Sequence, residues 1–247
     1  MDNNLRASLA ELIGSFFFVF FTAGTACVLH LTGEPRLDVA GAALASGLVF
    51  GVALTAAYHV SPGCLNPAIT LTQWVFKRLD GRRAVALIVA QLLGAVLAGL
   101  VLRFSFADGV LREAHAGAPH LTEAFRDGGA ITVRSLLSGL GVEVVLTCLL
   151  TLAVFATLLD PRAPKAGGFG AGLAQVAVVL LGFRLTGGSA NPARWFGTVV
   201  WETTLHISRP KGETALSDHA AFWAGPILGA LLAGLLYSTV FLPQEKK

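Results

Sequence analysis

Apolar residues run through this chain in stretches of about twenty, far longer than the alternation or three-to-four spacing of a soluble core. Six such stretches stand out, at roughly 9–31, 38–58, 84–104, 136–159, 168–185 and 219–242. Each is long enough to cross a hydrocarbon layer as a helix. Two shorter apolar segments, Asn66 to Phe76 and Asn191 to Trp201, lie between the second and third stretches and between the fifth and sixth. Each opens on Asn-Pro-Ala: Asn66-Pro67-Ala68 and Asn191-Pro192-Ala193. Asn is a preferred N-cap and Pro a preferred first helical residue, so each triplet predicts a helix start. Eleven residues give about 16 Å of helix, roughly half a bilayer core.

The halves repeat. A shift of 125 lays the first triplet on the second, and a shift of 135 lays Gln91–Gly99 on Pro226–Gly234. Glu11 and Glu143, each a lone acid early in an apolar run, pair at a shift of 132. The chain reads as one transmembrane domain over 1–247, made of two three-span copies at about 5–105 and 136–242. An odd span count turns the second copy upside down, so the half-helices enter from opposite faces and their N-termini meet near the midplane. The loops ahead of them, Gly63-Cys64-Leu65 and Gly187-Gly188-Ser189-Ala190, expose backbone that lipid does not tolerate. A wet passage lined by those loops follows.

Composition agrees: 54% hydrophobic, 13% charged, mean hydropathy +0.69. The first run is too long for a signal-peptide core and is expected to stay as a span. The net charge of +3 marks cytoplasmic loops rather than a nucleic-acid partner. Arg6, Lys77, Arg78, Arg82, Arg83, Arg162, Lys165, Lys246 and Lys247 fall on one side, against Arg112, Arg126, Arg209 and Lys211 on the other. Both termini are thus expected in the cytoplasm, and the membrane to be the plasma or inner membrane. Three cysteines, Cys27, Cys64 and Cys148, form no disulfide framework, and nothing has metal-ligand spacing. His30, His59, His115, His120, His206 and His219 show no triad or ligand pairing and read as interfacial or loop residues. The segment from Ser105 to Arg134 is expected to cover one mouth.

Two Asn-Pro-Ala boxes, the second extended by Arg194, a Glu in spans one and four, and six spans in two inverted halves resemble the aquaporin and aquaglyceroporin (major intrinsic protein) family. The resemblance covers roughly residues 5–242. It implies an all-α membrane fold of six transmembrane helices plus two re-entrant half-helices, a homotetramer with one pore per subunit, and no enzyme activity or cofactor. It also implies a constriction at Ser46, Val179, Gly188 and Arg194, positioned by their distances from the boxes. Water-selective relatives carry a bulky aromatic at the first and a His at the second of these positions; glycerol channels carry aromatics at the first and third. This chain carries neither set, which predicts a wider opening for water and small neutral solutes such as glycerol, urea, hydrogen peroxide or metalloid acids. The pair Phe222-Trp223 resembles the water-channel subgroup instead, and Trp195 matches neither subgroup.

Physical chemistry supplies a role for the boxes and alternatives to it. Half-helix N-termini carry roughly +0.5 charge each and repel cations, while Asn amide groups donate to a passing molecule and interrupt a proton wire. The Asn side chains are otherwise plain caps, and Arg194 otherwise a member of a buried ion pair. The resemblance implies that Glu11 and Glu143 accept hydrogen bonds from the re-entrant loops, while an acid within a span otherwise reads as a proton relay. Cys64 is either a small buried thiol or a lumen-facing one open to a mercurial. An ion-coupled secondary transporter also uses inverted repeats but needs an acid at the midplane beyond this symmetric pair.

Overall fold

The computed structural model describes residues 1–31, 38–162, 166–207, 209 and 213–242. Lys165, Lys211, Lys246 and Lys247, used above for orientation, lie outside the described residues. Among the described residues the chain is helical, with no strand. In chain order the helices are α1 (Asn3–Val28), α2 (Val39–Ala57), α3 (Pro67–Val75), α4 (Gly81–Ser105), α5 (Asp108–Glu113), α6 (Val133–Val154), α7 (Phe169–Gly182), α8 (Pro192–Glu202) and α9 (His219–Leu236). A wide turn extends α6 through Leu159, and another extends α9 through Phe241.

Helix starts follow side-chain chemistry. Asp38 accepts from the Gly41 N–H, Asp80 from Arg82 and Arg83, and Thr132 from Ser135 in a reciprocal capping box. These contacts satisfy first-turn donors that have no partner inside the helix. Among the described residues, five helices are long and apolar enough to cross a membrane: α1, α2, α4, α6 with its extension, and α9 with its extension. The fifth apolar run yields a shorter helix. At 14 residues α7 measures about 21 Å, because the chain turns off after Gly182 toward the second Asn-Pro-Ala box.

Polarity is inverted relative to a soluble protein. Phe17, Phe21, Leu48, Val52, Phe104, Leu137, Val145 and Leu181 face outward. Glu11, Ser46, Asn66, Gln91, Glu143, Gln175, Asn191 and Arg194 are buried. An apolar exterior suits lipid, and each of these interior residues finds at least one partner within the protein. The phenylalanines of α1 divide accordingly. Phe17 and Phe21 are exposed, whereas Phe18 is fully buried with its ring centroid 4.9 Å from that of Phe50.

Lipid offers no hydrophobic force between helices, so they associate by close approach across small residues. α1 packs on α4, α6 on α9, and α2 on α7. At the first crossing a Cβ on Gly94 would stand 2.1 Å from the Leu12 carbonyl oxygen; at the second, a Cβ on Gly229 would stand 2.3 Å from that of Val144. The half-helices are held by the last glycines of the two matched stretches. Gly99 of α4 lies against Gly197 and Trp201 of α8, and Gly234 of α9 against Thr72 and Phe76 beside α3.

Backbone cannot step aside as a side chain can, so Gly94→Val is expected to cost about 3 kcal/mol or more. Gly109→Val, with nothing within 4 Å of the added carbon, is expected to stay within about 0.5 kcal/mol of the parent. Thermal unfolding of the two variants in detergent, read beside the parent, separates a backbone clash from a general intolerance of valine.

Candidate functional site: the opposed half-helices and the covered mouth

The two Asn-Pro-Ala boxes meet inside the molecule. Asn66 Oδ1 accepts from the Ala68 N–H at 3.0 Å, and Asn191 Oδ1 accepts from the Ala193 N–H at 2.9 Å, so both are caps. Each also reaches across. Asn66 Nδ2 donates to the Ala190 carbonyl at 2.8 Å, and Asn191 Nδ2 donates to the Leu65 carbonyl at 2.9 Å. A side-chain amide has two N–H donors, so one remains on each Asn after this exchange. The expectation of wholly free amide donors is corrected to one per box.

The loops ahead of the caps take strained shapes. Cys64 and Leu65 have φ of 65° and 57°, and Ala190 has 46°. A non-glycine residue there costs on the order of 1 kcal/mol and persists only if its surroundings hold it. Two buried carboxylates do so. Glu11 accepts from the Leu65 N–H at 2.8 Å, Ser61 Oγ at 2.7 Å and Gln91 Nε2 at 2.6 Å. Glu143 accepts from the Ala190 N–H at 2.7 Å, the Ser189 N–H at 3.2 Å and Thr186 Oγ1 at 2.6 Å. At Gly63 a Cβ would come within 2.8 Å of the Glu11 carboxylate, so the loop needs glycine for the acid to reach it.

Arg194 sits in the first turn of α8, 2% exposed. Its Nη1 donates to the Gly187 carbonyl at 3.0 Å and the Gly188 carbonyl at 2.8 Å. These partners are carbonyls, not the carboxylate of a buried ion pair. Gly188, with φ 58°, lies against Val179: a Cβ there would be 3.2 Å from the Val179 Cα. Val179, Gly188 and Arg194 are therefore neighbours. Ser46 is tied elsewhere, its Oγ 3.2 Å from Thr22 Oγ1 and accepting from Gln175 Nε2 at 3.1 Å. Gln175 precedes Val179 by one turn of α7, and its Oε1 is buried without a protein partner.

Sequence reasoning passed over Gln175, Thr22 and Gln91. Gln175 and Gln91 are each the lone amide in an apolar span, a signal that only lacked a repeat partner to draw notice. Cys64 is 3% exposed, with its thiol donating to the Pro62 carbonyl at 3.3 Å. Gln73 also donates to the Pro62 carbonyl. The small buried thiol is thus what the fold makes of Cys64. Trp195 stacks on Phe222 at 6.0 Å, joining two positions whose identities pointed to different subgroups.

The mouth that the 105–134 segment covers differs most from expectation. The 105–134 segment folds back through α5, and Thr122 anchors it by donating to the Arg184 carbonyl and through its N–H to the Leu185 carbonyl. This brings His115 and His120 to Glu202 at the end of α8, so these two histidines do pair with a ligand-type side chain. Burial pulls the His120 pKa down, but hydrogen bonds with Asp218 and Glu202 outweigh it and push the value up to about 9. A cavity of about 350 Å³ joins this cluster to Gly187 and Arg194.

Glutamine at position 143 would present one carbonyl oxygen where three donors converge, and would set an amide N–H against the rest. Glu143→Gln is expected to cost about 2–3 kcal/mol. A thermal midpoint equal to that of the parent protein would show that the carboxylate does not hold the loop.

Comparison with known proteins extends these observations over nearly the whole chain. A family model described as major intrinsic protein matches residues 1–237. Aquaporin TIP4-4 of Zea mays is 38% identical, over 97% of this chain and 88% of the relative. Probable aquaporin TIP4-1 of Oryza sativa subsp. japonica is 36% identical, over 98% and 89%. Among solved structures, the X-ray structure of the aquaglyceroporin from Plasmodium falciparum superposes with a TM-score of 0.78 at 20% identity, over 96% of this chain and 97% of that one, a likeness of fold. With five long apolar helices, a shorter sixth and two capped half-helices, the chain is a multi-pass membrane protein of the major intrinsic protein family, whose members are channels for water and small solutes and not enzymes.

Proposed function

We propose that the chain conducts water and small uncharged solutes, glycerol and urea among them, down their own gradients through a lumen that passes both Asn caps. The reciprocal bonds between Asn66 and Ala190 and between Asn191 and Leu65 carry this reading. They set two helix N-termini end to end, each with one amide N–H to spare. A molecule held by donors from both sides accepts twice and cannot relay a proton between its neighbours. Cations meet two positive helix ends and Arg194.

Selection is assigned to Ser46, Val179, Gly188 and Arg194, with Gln175 added as a fifth group. No aromatic ring narrows this row, which supports a wider opening than a water-only filter. Gln175 argues in the opposite direction. Its amide leans into the space beside Ser46, so a strictly water-selective pore is the second reading. Glu143 accepts three hydrogen bonds from its loop, and Glu11 two from its loop and one from Gln91 of α4, which supports a scaffold role over ion coupling and disfavours a secondary transporter. We further propose a homotetramer of inverted three-span copies at about 5–105 and 136–242, in the plasma or inner membrane with both termini cytoplasmic.

Stopped-flow light scattering on reconstituted vesicles tests the reading. Fast water flux with measurable glycerol and urea flux is expected; fast water with glycerol wholly excluded establishes the second reading instead. The pair Ser46→Phe with Val179→His is expected to reduce glycerol flux before water flux. Gln175→Leu removes the amide at nearly constant volume. It is expected to lower urea flux relative to water several-fold, and an unchanged ratio removes Gln175 from the filter.

A further inference from the structure

Three ligand-type side chains, two from the 105–134 segment and one from the end of α8, converge at one point. His115 Nδ1 is 2.7 Å from Glu202 Oε1, and His120 Nε2 is 2.6 Å from Glu202 Oε2. One ligand atom from each lies within 4.8 Å of the others. Two ligands about 2.1 Å from a tetrahedral ion stand about 3.4 Å apart, so small rotations bring this set to a metal's spacing. The carboxyl is buried while His115 is half exposed, which leaves an approach from outside.

Two further features resemble a metal site more than a surface ion pair. First, Asp218 holds His120 Nδ1 at 3.1 Å, directing Nε2 toward Glu202. A carboxylate behind a histidine, fixing the tautomer and ring angle, is the usual support of a metal-bound imidazole. Asp218 is itself fixed, accepting from the Leu121 N–H at 2.9 Å. Second, a cationic group already stands where the three converge. Arg209 Nη2 lies 3.2 Å from both His115 Nδ1 and His120 Nε2 and contacts Glu202 Oε1.

We propose that His115, His120 and Glu202 bind one divalent transition-metal ion, with zinc as the probe of choice, and that the ion takes the position of the Arg209 guanidinium. Two imidazoles and a carboxylate suit Zn²⁺, Ni²⁺ or Cu²⁺, and three protein ligands leave a position for water. The ion has to displace Arg209, so the site is of moderate affinity. It opens on the cavity that Arg194 and Gly187 also line. Resting on the channel reading above, the consequence is that zinc on this side slows permeation by placing a divalent charge and its waters outside Arg194.

Binding is tested apart from transport. Zinc is titrated into the detergent-solubilised full chain against a fluorescent chelator. One equivalent is expected, weakened at least tenfold by His115→Ala, weakened about tenfold by Asp218→Asn and tightened by Arg209→Gln. Half-exposed His115 makes the first of these a mild change to the fold. Wild-type affinity in His115→Ala, or no tightening in Arg209→Gln, overturns the site. Stopped-flow swelling with and without external zinc then reads the consequence, and a loss of water flux that His115→Ala abolishes is expected. Zinc bound with flux unchanged overturns the closure while the site stands. Vesicles without any basal flux refute the channel reading, and the titration still decides the site.

Discussion

Irregular backbone at the depth of a bilayer has no water to bond with, and each orphaned N–H or C=O there costs several kcal/mol. Glu11 and Glu143 answer that constraint, each from a long helix into the loop that precedes a half-helix. The loop donors converge on a carboxylate rather than a neutral oxygen, and charge-assisted bonds of this kind are roughly twice as strong. That strength lets Leu65 and Ala190 keep left-handed backbone without glycine. The carbonyls of those same two residues turn toward the opposite half and accept from its asparagine.

Close helix contact sets the distances that make this geometry reachable. Gly94 and Gly229 bring α1 to α4 and α6 to α9 at backbone contact, so acids on α1 and α6 reach loops beside α4 and α9. Gly99 and Gly234 seat the half-helices against the same pairs. The glycines and the acids are one device. Packing without the acids would leave loop donors unmet, and acids without the packing would fall short of them.

Much of this was legible from residues alone, and the reason is physical. Asn-Pro-Ala occurs twice because two helices must start inside the molecule, and a start needs its cap and its proline whatever the surroundings. Glu11 and Glu143 were conspicuous because acids in apolar runs are expensive. Gln91 and Gln175 were not, because a neutral amide in a span costs less and neither has a repeat partner. The His115–His120–Glu202 convergence was hidden for a different reason. It depends on how the 105–134 segment folds back onto the end of α8, and a long polar connection carries no periodicity from which that path can be read. The length of α7 was overestimated because hydropathy continues past Gly182 while the helix does not.

The crossed bonds of the two asparagines bear on how such a chain comes into being. Leu65 is made early and its carbonyl accepts from Asn191, which is made 126 residues later. Asn66 in turn waits on Ala190, made 124 residues after it. Neither half can complete its own turn at the midplane, so a ribosome that has released only the first three spans has released an unfinished structure. The early half must hold an open, hydrated loop inside the membrane or the translocation machinery until the late half arrives. Assembly of the centre therefore waits for the second half, and the two halves mature together.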